Sequence, residues 1–365
     1  MHGGMYLPKG IGMAQGLQVS NTVMIPGSNN VFLKTIAAAG AAFVIAGAGQ
    51  AQTDMPFALD WKFEGPAAPY FVAVDSGHFA AEGLTVEISE GAGSLDAIPK
   101  VATGAFPIGF ADINSLMRFL DQNPGAPVTA IMMIYDKPPF AVVGRKSLGV
   151  MEPSDLEGRI LGAPPPDGAW AQFPIFAAET GIDTSAITVE PVGFPTREPM
   201  LAEGNVAAVT GFSFSSTLNL IRLGVPEDDL SILLMADYGV DLYGNAIIVN
   251  TDFAAANPEA VTGFLRAVAM GWKEAIGDPA AAVDMMMSRN PAADAALETR
   301  RLEMAIMANV MTDYVAANGI GGIDADRMMN AIEQTKSVYE FQNEPDMALY
   351  FDSSYLPTDG SLMLQ

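Results

Sequence analysis

Residues 58–113 read ALDWKFEGPAAPYFVAVDSGHFAAEGLTVEISEGAGSLDAIPKVATGAFPIGFADI. The stretch packs three strand–turn–helix units. A strand predicted over Met55–Trp61 leads into a helix from about Pro66 that stops at Gly77. A second strand, Leu84–Glu90, runs into the loop Gly91–Ser94 and another helix. A third, Pro107–Ile113, opens a helix near Asn114. Strands alternating with helical patterns of this length imply an α/β fold, with a parallel or mixed sheet covered by helices on both faces. Such sheets bind ligands at the carboxyl ends of their strands, where loops and helix N-termini converge. Those ends are Asp60-Trp61, Gly91–Ser94 and Asp112–Ser115.

The same alternation continues beyond it. Pro127–Tyr135 (PVTAIMMIY) is a nearly unbroken apolar run, the mark of a strand buried on both faces, and Phe140–Gly144 continues extended. A second series follows: strands at Arg159–Ala163, Thr188–Gly193, Val206–Phe212 and Leu230–Ala236, with helices at Ala169–Thr180, Thr196–Glu203 and Ser215–Leu223. Ala246–Asn250 is extended again. The C-terminal third is helical. Asn257-Pro258, Asp278-Pro279 and Asn290-Pro291 each place a capping side chain before a first-turn proline. After the first of them Val261, Phe264, Leu265, Val268, Trp272 and Ile276 recur at helical spacing as a core stripe. The methionines of 285–311 and 328–329 read as core filling, since Met substitutes for Leu in irregular gaps.

Half of the 365 residues are hydrophobic, and cysteine is absent, which excludes disulfides, iron–sulfur clusters and thiol catalysis. Thr35–Ala51, an uncharged apolar run after Lys34 that ends on small residues, has the form of an export signal cleaved after Ala51. Translation starting at Met24 would give it an ordinary length. Removing 1–51 takes away Lys9 and Lys34 and no acid, leaving 16 basic against 42 acidic residues, a net charge of −26. That balance excludes nucleic-acid binding, which needs basic surface to displace phosphate counterions. It also disfavours anionic lipid.

Catalytic constellations are missing. Only His78 remains after such cleavage; placed just past a helix end, it is expected to meet that helix's last carbonyls. Zinc would need several His or Cys ligands. No Asp-x-Asp-x-Asp-Gly calcium loop and no Gly-x-Ser-x-Gly elbow occurs. Neither a metal nor a cofactor is implied. Gly91-Ala92-Gly93-Ser94 lacks the third glycine of a dinucleotide fingerprint; it offers backbone N–H donors to a polar or anionic group instead.

The segments PYFVAVDSGHFAAEGLTVEI, GAGS, VATGAFPIGFAD, DLEGRILGAP, MLAEGNVAAVTGF and YGNAIIVNTDFAAANPEAVTGFLRA occur in that order over about 55–356. Together they resemble the periplasmic substrate-binding proteins of ABC importers, in the branch for thiamine pyrimidine precursors, sulfonates such as taurine, and nitrate. The resemblance implies a type II periplasmic binding protein fold: two doubly wound lobes joined by two crossover strands, with a ligand cleft between them. Lobe I is expected at 54–143 plus 247–356 and lobe II at 144–246, with Phe140–Gly144 in the first crossing and 357–365 as a tail. The implied partners are a small-molecule ligand, an ABC permease and its ATPase. The implied location is the periplasm, with no stable membrane insertion once the leader is removed. Eukaryotic thiamine-pyrimidine synthases share this fold and the LDW opening, but rely on a histidine shortly after that tryptophan and on a cysteine-rich run. This chain has no histidine between Trp61 and Tyr70 and no cysteine, so a non-enzymatic role is expected. A sensing or adaptor module is the third alternative.

For such a receptor the candidate contacts are the residues at strand ends and helix starts. In the first lobe they are Asp60, Trp61 (as stacking platform), Gly93, Ser94, Asn114, Ser115, Tyr135 and Asp136. In the second they are Asp167, Trp170 (closing over the ligand), Thr196, Arg197, Phe212 and Ser213, with Tyr243 in the return segment. Two tryptophans with carboxylates point to a planar compound, a pyrimidine or an aromatic acid held by Arg197. The hydroxyls and N–H groups of Gly91–Ser94 equally suit a sulfonate or nitrate.

Overall fold

The computed structural model describes residues 52–364, so the leader read at 1–51 lies outside the described residues. The opening stretch folds as β1 (Thr53–Asp54), β2 (Phe57–Ala58), α1 (Ala68–Asp75), α2 (His78–Ala81), β3 (Leu84–Thr85), β4 (Ile88–Ser89), α3 (Ser94–Ala102), β5 (Ile108–Asp112) and α4 (Ile113–Gln122), followed by β6 (Val128–Met133). Pro66 and Pro69 sit where missing N–H groups cost nothing, and Gly77 at φ 78° ends the first helix. The expected strand 84–90 is two short pieces: β3 pairs with β1, whereas β4 joins β2.

The next series is β7 (Phe140–Arg145), β8 (Ile160–Ala163), α5 (Gly168–Thr180), β9 (Thr188–Pro191), α6 (Phe194–Ala202), β10 (Ala208–Phe212), α7 (Ser213–Arg222) and β11 (Leu230–Leu234). Then come β12 (Asn245–Asn250), α8 (Thr251–Ala256), α9 (Pro258–Gly277), α10 (Pro279–Met287), α11 (Ala295–Ala305), α12 (Asp313–Asn318), α13 (Ala325–Lys336) and α14 (Met347–Tyr350).

These strands form two five-stranded mixed sheets, ordered β4-β2-β5-β12-β6 and β11-β7-β10-β8-β9. The returning strand β12 runs antiparallel between β5 and β6, and β7 runs antiparallel between β10 and β11. Phe140–Gly144 is therefore not a crossing, as the extended pattern implied, but an interior strand of the second sheet. The chain passes between sheets at 134–139 and 235–244.

Strands β5, β6, β7, β10 and β12 are buried on both faces, which is why they read as near-continuous apolar runs, whereas the edge strand β9 is exposed throughout. On the first sheet Phe57 meets Tyr70 and Phe264 edge-on at 5.1 and 5.3 Å, beneath α1 and α9. Ile98, Val101, Leu116 and Met328 fill the opposite face. In β7 successive residues alternate: Phe140 and Val142 enter one core of the second sheet, Ala141 and Val143 the other. At Gly271 any Cβ would stand 2.2 Å from the Pro69 carbonyl oxygen, so α9 packs on α1 only with glycine there.

Several C-terminal expectations change. Asp278 caps Ala281 N, but Asn257 makes no side-chain cap; its amide donates to Phe253 O instead. The helix expected after Asn290-Pro291 starts at Ala295, capped by Asp294, while Asn290 Nδ2 donates to Phe63 O. His78 pairs at 2.7 Å with Glu274 rather than with helix carbonyls. Met286 and Met328 are core residues, whereas Met307 and Met329 are exposed. The expected tail is docked: Asp359 pairs with Arg266, Leu362 O accepts from Ile320 N, and Leu364 is buried.

Candidate functional site

The carboxyl ends of β2, β8 and β10, with the loops after β4 and β9, face one another across a cleft between the two sheets. Its walls are aromatic: Trp61, Tyr70, Phe110 and Tyr135 from the first lobe, and Phe194, Phe212 and Phe214 from the second. Among the described residues its charged lining is Asp60, Lys62, Glu64, Asp167 and Arg197.

Asp60 sits at the base, 6% exposed. Its Oδ2 accepts from Asn245 Nδ2 at 2.6 Å and Ser94 Oγ at 3.2 Å, while Oδ1 has no donor among the described residues. Burial pushes its carboxyl up to about 7, against the lowering effect of those two bonds. Ser94 Oγ also accepts from Asp112 N, joining β2, α3 and β5 behind the cleft. Two buried polar atoms on the cleft wall lack any partner, Trp61 Nε1 and Tyr70 OH. Burial raises the Tyr70 hydroxyl well above its ordinary range, so it remains a neutral donor. A polar atom buried without a partner is costly in an apolar wall, and an occupant that bonds to it removes the cost.

Asp167 caps α5 through Ala169 N and accepts from Thr210 Oγ1 at 2.9 Å. Arg197 is fully buried, but its guanidinium is engaged: Nε and Nη2 donate to Glu198 Oε1 at 2.9 and 2.6 Å. Its Nη1 lies 3.9 Å from Asp167. A carboxylate anchor at Arg197, expected for an aromatic acid, is thus already occupied by its sequence neighbour.

The lobes are closed on each other. Trp61 meets Phe194 edge-to-face at 4.7 Å. Ser215 Oγ of the second lobe donates to Glu64 of the first at 2.8 Å. Arg118 reaches across to Ala171 O and Gln172 Oε1. At Gly93, where φ is +106°, a Cβ would stand 3.2 Å from Pro166 O of the facing lobe. The space left between the walls is about 60 Å³, room for a few waters.

Of the expected site residues, Asp60, Trp61, Gly93, Ser94, Tyr135, Asp167, Arg197 and Phe212 line this cleft. Asn114 and Ser115 are turned behind it, donating to Asp112 and, through Asn114 Nδ2, to Tyr243 O. Trp170 stacks on Phe173 in the packing of the second lobe, at 5.4 Å and 23°. Thr196 Oγ1 donates to Gly193 O, and Ser213 N to Pro139 O. Asp136 and Tyr243 lie in the two crossings. Phe194 takes the place expected for Trp170. It opens α6 after β9, the same positional signal that singled out Thr196-Arg197.

Two α/β lobes closing over an aromatic cleft define the periplasmic binding protein fold. Solved structures agree on the fold: the nitrate-binding protein NrtA of Synechocystis matches with a TM-score of 0.64 at 12% identity, covering 83% of this chain and 87% of that one. The family model described as NMT1/THI5 like matches residues 66–282, and the chain belongs to that family. Relatives include the riboflavin-binding protein RibY of Chloroflexus aurantiacus, 26% identical over 80% of this chain and 82% of its own length. A formylaminopyrimidine-binding protein of Halalkalibacterium halodurans is 24% identical over 73% and 80%. A 4-amino-5-hydroxymethyl-2-methylpyrimidine phosphate synthase of Aspergillus parasiticus is 25% identical over 76% and 86%. Among the described residues no helix is long and apolar enough to cross a membrane, and no group of three or more His, Asp or Glu stands in reach of one metal ion.

Proposed function

We propose that this chain is the solute receptor of an ABC importer, exported to the periplasm, and that its ligand is a flat, uncharged heterocycle bearing an N–H donor. The single observation that carries this reading is the polar set inside the aromatic cleft. Trp61 Nε1 and Tyr70 OH are buried donors in need of acceptors, and Asp60 Oδ1, with both side-chain donors on Oδ2, is open to a further donor. A ring that stacks on Trp61 and carries both kinds of group on its edge satisfies all three. Riboflavin and aminopyrimidines, the ligands in the names of two relatives, have that chemistry. A sulfonate or nitrate would instead meet three carboxylates, with Arg197 already committed to Glu198 and only the exposed Lys62 left as a cation on the cleft. The synthase reading lacks support at the residues it needs: no histidine follows Trp61 before Tyr70, the chain has no cysteine, and His78 is bound to Glu274.

Calorimetry with riboflavin, a 4-aminopyrimidine, ethanesulfonate and nitrate tests the reading. A heterocycle is expected to bind and the anions are not. Trp61→Ala should weaken that binding by about 1–3 kcal/mol, the worth of one base–aromatic stack. Binding of an anion alone, or full affinity in Trp61→Ala, would overturn it.

A further inference from the structure

Asp136 and Tyr243, placed by sequence among ligand contacts, meet a different partner, Arg327 of α13. Its Nη2 donates to Asp136 O at 2.7 Å, in the first crossing, and to Leu242 O at 2.8 Å, in the second. Nη1 donates to Asp136 Oδ1 and Nε to Asp241 Oδ1, at 3.2 and 2.9 Å, and the guanidinium lies 4.1 Å over the Tyr243 ring. Seven residues on, Gln334 grips the second crossing again, donating to Gly239 O at 2.7 Å and accepting from Asp241 N at 2.9 Å. The helix between them is anchored in both lobes: Met328 and Ile332 join the first-lobe core, and Ala331 the second.

We propose that α13 is a hinge bracket, in which Arg327 fastens both crossings to one helix and thereby sets how far the lobes part. This deepens the receptor reading and rests on it. Fork geometry is what the task requires, because one planar group must reach two carbonyls and two carboxylates at fixed angles. Bending is then confined to the second-lobe side of each crossing, at Pro138-Pro139 and at Met235–Tyr238, ahead of the Gly239 carbonyl that Gln334 holds. Prolines resist that bending, so freeing Asp136 and Leu242 enlarges the available motion.

The absence of cysteine allows clean labelling. Spin labels on Glu87→Cys and Thr188→Cys, exposed positions on opposite lobes, report the interlobe distance without any ligand. Arg327→Met is expected to broaden that distance distribution about twofold toward longer values. Arg327→Lys should fall between it and the parent, since an ammonium cannot fork. Arg300→Gln, which removes only the exposed interlobe pair with Glu227, should leave the distribution near that of the parent. If Arg327→Met does not fold, Arg327→Lys and Gln334→Ala carry the test. Unchanged distributions in the bracket variants, with cooperative melting retained, overturn the bracket. Equal broadening in Arg300→Gln does so too. A parent that shows one narrow distance with and without riboflavin or a 4-aminopyrimidine would sink the hinge itself, and the receptor reading with it.

Discussion

Asp60→Asn is expected to make the ligand-free protein more stable at pH 7.5 and to weaken it as a receptor. In the folded chain the buried carboxyl holds its proton up to about pH 7, against 3.8 for an ordinary aspartate. The unfolded chain releases that proton from about pH 4 upward. Folding stability from this group is therefore full below pH 4 and declines as pH rises towards 7. Three units correspond to about 4 kcal/mol at most, since each is worth about 1.4 kcal/mol. Asparagine does not titrate, and its oxygen can still accept from Asn245 and Ser94. Denaturation of parent and variant between pH 4 and 8 should give curves that coincide in acid and diverge through this window. Parallel curves would show that the buried carboxyl carries no such penalty. Binding should move the opposite way, because a ligand N–H loses a charged acceptor, and charge-assisted bonds are about twice as strong as neutral ones. Gain of stability with loss of binding marks a residue kept for its site.

Trp272→Ala is expected to lose about 3–5 kcal/mol of stability, the cost of truncating a large buried aromatic. Its ring is wholly buried on α9 and meets Tyr70 edge-on at 6.2 Å. The neighbouring Gly271 lets α9 approach α1 so closely that a Cβ there would stand 2.2 Å from Pro69 O. Trp61 differs in kind: half-buried at the cleft, it should cost much less stability when truncated and more in binding. Chemical denaturation of the two alanine variants checks the contrast, and equal losses would make Trp61 a packing residue.

Much of this was legible in the sequence because it depends on period and punctuation. The alternation of apolar runs with helices located the strands of the two sheets except β7, which it assigned to a crossing. The rule that ligands sit at strand carboxyl ends then reached Asp60, Trp61, Gly93, Ser94 and Asp167, which line the cleft, without tertiary detail. What failed depends on where a side chain turns once its helix is placed. Trp170 and Phe194 both open second-lobe helices, and only packing turns one into the core and the other to the cleft. Arg197 looked available because its partner is the adjacent residue, a pairing that helical geometry does not favour and that burial imposes. Phe140–Gly144 read as a crossing because an interior strand and an extended linker share the same apolar pattern. Asp136 and Tyr243 were drawn to the ligand by position, while Arg327, 191 residues from the first and 84 from the second, claims both.

Solution scattering on the chain, alone and saturated with a heterocycle that calorimetry identifies, tests the receptor reading most directly. Trp61 and Phe194 already touch in the closed form, so a solute can enter only if the lobes part. A ligand that spans both lobes then favours closure by its differential affinity for the closed state. The radius of gyration is predicted to shrink on binding towards the value of the closed structure. A radius that stays the same with ligand bound would contradict capture by lobe closure.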